Sequence, residues 1–289
     1  MKATVLALAM KFALAGGCLA SEISHHTFPS KTLERDYAYN LYLPDGYESG
    51  KLDYPVLYLL HGSFENENRW PVRGRIQGTL DRLISEGKIP PAVVVMPGSL
   101  SWWVDGYNEP AKTAFFEDLI PHIETTWNVI SERDGRVVGG LSAGGSGAIN
   151  FVLEHPETFA ACAALSPAVY VPLPPETSSA NRHPAYLNRD GRFDPEKWKT
   201  LNYTSFIDGY KAQDLVVPIY INSGDHDKYD IAYHGAVLFQ SLWEHQPKYV
   251  EFRVVDADHE WELWAETIPE ALEYVFRYTS RPQGRKPTN

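Results

Sequence analysis

Gly140-Leu141-Ser142-Ala143-Gly144 is a G-x-S-x-G run, a serine hydroxyl held two residues from a glycine on either side. Arg136 to Gly140 (RVVGG) reads as a strand and residues 145–155 as a helix, so the serine falls on a tight strand-to-helix turn. Such a turn leaves no room for side chains at its glycines and lifts the hydroxyl clear of the backbone. At the helix N-terminus the amide N–H of Ala143 can then face a developing oxyanion. Upstream, Leu59-Leu60-His61-Gly62-Ser63 closes another apolar run. Gly62 lets the backbone approach a ligand closely, which makes the Ser63 N–H a candidate for the second oxyanion donor.

A serine hydroxyl is a weak nucleophile until a base takes its proton, and the base needs a carboxylate to orient it. Ten histidines compete. His122, His234 and His245 fall within or at the ends of helical segments, and His155 ends the helix after the serine. His259, in Asp256-Ala257-Asp258-His259-Glu260-Trp261, follows the last strand-like run and precedes the last helix, which places it at the C-terminal edge of a sheet. It is the favoured base. The acid is expected between serine and histidine in chain order, again after a strand. Gly224-Asp225-His226-Asp227 offers two aspartates; Asp227, three residues after the glycine, is favoured, and Asp225 stays open. With Asp230 this cluster could also be read as a metal site. It lacks the glycine and distal glutamate of a calcium loop, and His259-Glu260 has no second histidine to complete a zinc helix. Neither a metal nor a cofactor is expected.

These residues need a scaffold that brings strand ends together. Val56 to Leu60, Ala92 to Met96, Arg136 to Gly140, Ala160 to Leu165, Val216 to Ile221 and Val250 to Val255 read as strands, most of them apolar on both faces. Tyr37 to Leu43 alternates like an edge strand. Segments 76–86, 115–127, 145–155, 231–244 and 261–278 carry helical periodicity. The alternation implies an α/β fold with a doubly wound, mostly parallel sheet. Residues 166–214 break the rhythm with six prolines and read as a loop-rich insertion over the sheet's C-terminal edge.

The chain has 289 residues and a formal charge of −11, and 44% of its residues are hydrophobic. That composition excludes general disorder, and the acidity argues against nucleic acid as a partner. Residues 1–20 have a lysine near the start, a short apolar stretch and small residues before Ser21, the pattern of a secretory signal peptide rather than a permanent membrane span. Cleavage is expected after Ala20, leaving 21–289 as one domain; lipidation of Cys18 is the less favoured route. The product would be secreted or periplasmic, and its one thiol, Cys162, sits in an apolar setting that suits a buried, inert group.

LLHG (59–62) followed by Trp70, SWW-x-D (101–105), GLSAGG (140–145), G-x-x-D (224–227) and DHEWELW (258–264) occur in one order. Together they resemble an esterase family of α/β-hydrolases that includes S-formylglutathione hydrolases, feruloyl and acetylxylan esterases, enterobactin esterases and mycolyltransferases. The similarity covers about residues 33–280, and the His259-x-Trp261 pairing is its most specific piece. The resemblance implies a serine esterase working through an acyl-enzyme, with Ser142, His259 and Asp227 in the catalytic roles. Ala143 stands where many members carry Met, which implies a wider acyl pocket. Trp70, Trp102, Trp103, Tyr107 and Tyr170 fall in loops expected to ring the site, where they could stack on an aromatic acyl group or a sugar. Feruloyl, acetyl and other short or aromatic esters are the expected substrates. Acyl transfer by the same triad, or hydrolysis of an S-formylglutathione-type thioester, is the alternative.

Overall fold

The computed structural model describes residues 20–47 and 50–285. The expected leader, up to residue 19 and including Cys18, lies outside the described residues. Among the described residues, eight strands form one sheet: β1 (Glu22–Ser30), β2 (Arg35–Leu43), β3 (Val56–Leu60), β4 (Val93–Pro97), β5 (Arg136–Leu141), β6 (Ala161–Leu165), β7 (Ile219–Gly224) and β8 (Val250–Val255). Their order is β1-β2-β4-β3-β5-β6-β7-β8. The pairs β1–β2 and β2–β4 are antiparallel and the rest parallel, which is the mostly parallel α/β-hydrolase arrangement expected.

Alternation along the strands shows why helices must cover both faces. Val56, Tyr58 and Leu60 of β3 join one apolar cluster with Val138, Cys162 and Ile221. Leu57 and Leu59 point the other way, into a cluster with Val137, Ala161 and Tyr220. Four longer helices and a composite one close these faces: α1 (Ile76–Ser85), α2 (Ala143–Glu154), α3 (Ile231–His245) and α4 (Trp261–Phe276). Helices α1 and α4 supply Leu80, Leu83, Leu272 and Val275 to the second cluster. Helices α2 and α3 supply Ile149, Val152, Leu238 and Leu242 to the first. Helix α2 is buried from Ala143 to Leu153, and its small residues allow that depth. A Cβ on Gly147 would lie 2.4 Å from the Cβ of Trp103.

Three expectations change. Tyr37 to Leu43 is not an edge strand: β1 pairs along the whole of β2, from Glu22 opposite Leu43 to Ser30 opposite Arg35. The helix expected over 115–127 begins earlier, at Ala111, and contains a π-helical turn, Phe115–Leu119, before Ile120–Thr126. Pro121, which cannot donate a backbone hydrogen bond, stands just past that turn. The segment 166–214 is more than loop, since it contains the helices Pro195–Leu201 and Ile207–Lys211. Tyr170, Ala180, Tyr186 and Trp198 of this segment pack with Trp102 into a third apolar cluster. Among the described residues no helix is long and apolar enough to cross a membrane.

Candidate active site

Ser142 sits between β5 and α2 with φ 53° and ψ −116°, a conformation that costs a non-glycine residue energy. The surroundings over-determine it. Its N–H donates to the Leu165 carbonyl (2.8 Å), and its carbonyl accepts from Ser146 N (3.0 Å) to open the helix. A Cβ on Gly140 would lie 2.5 Å from the Gly144 carbonyl carbon. A Cβ on Gly144 would lie 2.5 Å and 2.7 Å from the carbonyl oxygens of His61 and Leu60. Both glycines of the motif are therefore demanded by backbone atoms, which cannot move aside.

The candidate base and acid arrive on the loops after β8 and β7. His259 Nε2 lies 3.0 Å from Ser142 Oγ, and His259 Nδ1 lies 2.6 Å from Asp227 Oδ2. An ionised carboxylate only accepts, so the Nδ1–H donates to Asp227 and Nε2 is free to accept the serine proton. The Asp227 side chain is fully buried, and its other oxygen accepts from Tyr229 N (3.0 Å). Asp225 is not brought to the histidine. Its carboxylate is exposed and accepts from Ala257 N (3.2 Å), pinning the two loops together. Gly224 makes that contact possible, since a Cβ there would fall 2.0 Å from the Ala257 carbonyl oxygen. The His259 ring meets Tyr229 and Trp264 edge to face, each at 5.0 Å between centroids. Trp264 is fixed in turn by donating to Ser166 Oγ (3.1 Å). Asp225, His226 and Asp256 converge at the surface, apart from the serine.

The loop after β3 completes the arrangement. A Cβ on Gly62 would lie 3.7 Å from Ser142 Cβ, so Gly62-Ser63 runs directly beside the hydroxyl. Three indoles hold this loop: Trp70 donates to the Leu60 carbonyl (3.0 Å), Trp103 to the His61 carbonyl (3.0 Å) and Trp102 to Ser63 Oγ (2.8 Å). Buried His61 donates to the Gly62 carbonyl (2.8 Å) and accepts from Ser99 N (3.0 Å). Burial holds its pKa down at about 4, which keeps the ring neutral and bridging. Ala143 opens α2, so its N–H belongs to the first turn, where amides have no carbonyl four residues back. Ser63 and Ala143 thus flank the hydroxyl from two separate elements.

A cavity of about 440 Å³ opens over Ser142. Trp102 and Tyr170 line it, as expected. Trp70 and Trp103 do not; each supports the loop from behind by donating to one of its carbonyls. Tyr107 is half-exposed outside the cavity and donates to Asp194 (2.7 Å). Strand ends carry both backing and lining residues, and an indole that must satisfy a buried carbonyl is drawn inward. Other residues of the site went unread in the sequence: Phe64, Tyr229, Trp264 and Glu65 also line the cavity. For Glu65 a signal existed, because a carboxylate three residues after a turn glycine can reach back to its N–H. Cys162 is fully buried away from the site, and burial pushes its thiol pKa up.

The sequence profile of the family described as "Putative esterase" matches residues 30–275. An endo-1,4-beta-xylanase/feruloyl esterase of Xylanibacter ruminicola is 36% identical over 163 residues, 52% of this chain and 22% of that protein. A solved ferulic acid esterase structure superposes with a TM-score of 0.73 at 28% identity, covering 90% of this chain and 98% of the other. A substrate-bound structure of FphF, a fluorophosphonate-binding serine hydrolase of Staphylococcus aureus, gives a TM-score of 0.74 at 18% identity over 89% and 99%, a likeness of fold. The chain spans well under half the length of the curated relatives it matches, 22% and 33% for two of them.

Proposed function

The chain belongs to this esterase family, and from that premise we propose that it is an exported serine carboxylic-ester hydrolase for esters of short or aromatic acids. The observation that carries the reading is the unbroken run of hydrogen bonds from Ser142 through His259 to buried Asp227. Ser142 Oγ attacks the ester carbonyl carbon as His259 Nε2 takes its proton. Asp227 holds the ring in the tautomer that leaves Nε2 free and stabilises the imidazolium that forms. The carbonyl electron pair collects on the oxyanion, which the Ser63 and Ala143 amides receive. His259 returns the proton to the leaving alkoxide, and the alcohol departs from an acyl-Ser142. Water repeats the sequence and releases the acid.

Exposed Phe64 supplies flat apolar surface at the cavity, which Trp102 and Tyr170 also line, and this favours an aromatic or compact acyl group over a long chain. The feruloyl and ferulic acid esterases among the similar proteins point the same way. The lysine-led, apolar residues 1–20 support export. The test is a panel of acetyl, butyryl and feruloyl esters and a thioester compared by kcat/KM, with endpoint labelling by a fluorophosphonate. Wild type is expected to label at one serine and to hydrolyse the acetyl and feruloyl esters best. Ser142→Ala is expected to lose labelling and on the order of 10⁶-fold in kcat while unfolding at the same temperature. Full activity in that variant would sink the assignment. Transfer of the acyl group to added glycerol or a sugar in preference to water would redirect it to an acyltransferase.

A further inference from the structure

We infer that Glu65 is a positioning residue that ties the oxyanion loop to the histidine loop, an inference that rests on the hydrolase reading above. Its carboxylate bridges the loop after β3 and the first residue of α4. Oε2 accepts from the Gly62 N–H (3.1 Å), and Oε1 accepts from the Trp261 indole N–H (3.0 Å). Gly62 immediately precedes the candidate oxyanion donor Ser63, and Trp261 stands two residues after His259. The side chain is 18% exposed, and Arg69 Nε approaches to 3.9 Å.

Two consequences follow from that geometry. A Gly62 N–H committed to Glu65 is not available to an oxyanion, which leaves that role to the next amide, that of Ser63. A Cβ on Gly62 would lie 3.1 Å from Glu65 Oε2 and 2.7 Å from Leu141 Cδ1, so the loop is wedged between the carboxylate and the strand that carries Ser142. On the other side, Trp261 packs edge to face on Trp70 (5.3 Å) and Trp264 (5.4 Å). Trp70 holds the Leu60 carbonyl and Trp264 faces His259. One carboxylate thus sets the spacing between oxyanion donor and base. A bare negative charge so near a developing oxyanion would oppose catalysis. Two N–H donors and a nearby guanidinium draw that charge away from it.

The experiment uses the full chain carrying Glu65→Gln, Glu65→Ala, Trp261→Phe and the Glu65→Ala/Trp261→Phe double variant. Steady-state kinetics on p-nitrophenyl acetate are normalised to sites counted by fluorophosphonate endpoint labelling, with thermal unfolding in parallel. The Gln oxygen can still take one of the two N–H groups, but its amide nitrogen cannot take the other. Glu65→Ala is expected to lower kcat per labelled site by roughly 10- to 100-fold with KM within about twofold, and Glu65→Gln by less. The double variant is expected to be no worse than the poorer single one, because both changes cut the same link. Unchanged kcat per site in Glu65→Ala, a loss confined to the number of labelled sites, or additive single effects would each overturn the inference. An active, labelled wild type beside unchanged variants overturns this inference alone. A wild type that neither labels nor turns over overturns the hydrolase reading and this one with it.

Discussion

The cavity has two walls built in different ways. The wall that carries Ser142, Ser63 and His259 is made of strand ends, and backbone atoms hold it in place. Ser142 N meets Leu165 O, His226 N meets Ala257 O (3.1 Å), and glycines 140, 144 and 224 lie against carbonyl groups. The wall supplied by residues 166–214 brings Tyr170, Ser178, Ser179 and Arg182 to the opening over an aromatic cluster of Trp102, Tyr186 and Trp198. To hydrogen bonds such as Asn202 Nδ2–H to the Tyr170 carbonyl (2.6 Å) it adds extensive ring packing, such as Trp102 against Trp198 at 5.9 Å and Tyr186 against Trp198 at 5.0 Å. Hydrogen-bonded backbone tolerates displacement of a few tenths of an ångström, whereas apolar contact can repack. The first wall is therefore suited to chemistry, which is sensitive to position, and the second to selecting which ester enters.

Changes in the first wall are expected to act on kcat and by large factors. The strongest test of the division after Ser142→Ala is the pair Asp227→Asn and Asp225→Asn. The first changes the ring's tautomer at an unchanged size and is expected to cost about 10⁴-fold in kcat. The second alters an exposed carboxylate that accepts from Ala257 N and lies 3.5 Å from His226 Nδ1, and is expected to stay within about tenfold. Equal losses in the two variants would contradict the geometry.

Gly144→Ala comes next. Its new Cβ must push against the His61 and Leu60 carbonyls, so kcat is expected to fall about 100-fold or more, with a lower unfolding temperature. Gly78→Ala in α1, where a Cβ meets nothing within 4 Å, is the control, expected to gain roughly 0.5–1 kcal/mol by urea unfolding at unchanged kcat.

In the second wall, Arg182→Ala is expected to change KM across the ester panel by up to about tenfold while kcat on p-nitrophenyl acetate moves less. A kcat collapse there would erase the distinction between the walls.

The smallest expected effect spans both walls. Burial depresses His61 in one and His183 in the other from 6.5 to about 4. The unfolded chain takes up these protons as pH falls through 6.5, and the folded chain resists until about 4. Stability is therefore full above 6.5 and lost progressively between 6.5 and 4. His183→Asn keeps an acceptor for Ala185 N and removes one titration, so its unfolding temperature is expected to fall less steeply over that interval.

Local chemistry explains which parts were legible in advance. The elbow could be read because Gly140 and Gly144 are required by a turn spanning a few residues, and the strands because apolar runs of five or six residues fit a sheet covered on both faces. Strand β1, EISHHTFPS, was missed: its half-buried pattern carries two adjacent histidines and no apolar run. The choice between Asp225 and Asp227 was narrowed by spacing alone and separated only by direction, one carboxylate turned onto Ala257 and the other onto His259.

The amino-acid sequence determined which residues can carry the chemistry and in which chain order, because a nucleophile turn, a following helix and a histidine after the last strand are set by short-range backbone geometry. Only the tertiary structure decided which side of each loop faces the cavity. Trp102 turned towards it and Trp103, its neighbour, turned to the buried His61 carbonyl. That outcome depends on acceptors contributed by a loop some forty residues away, the Ser63 hydroxyl for one indole and the His61 carbonyl for the other, and the sequence around the two tryptophans does not tell them apart.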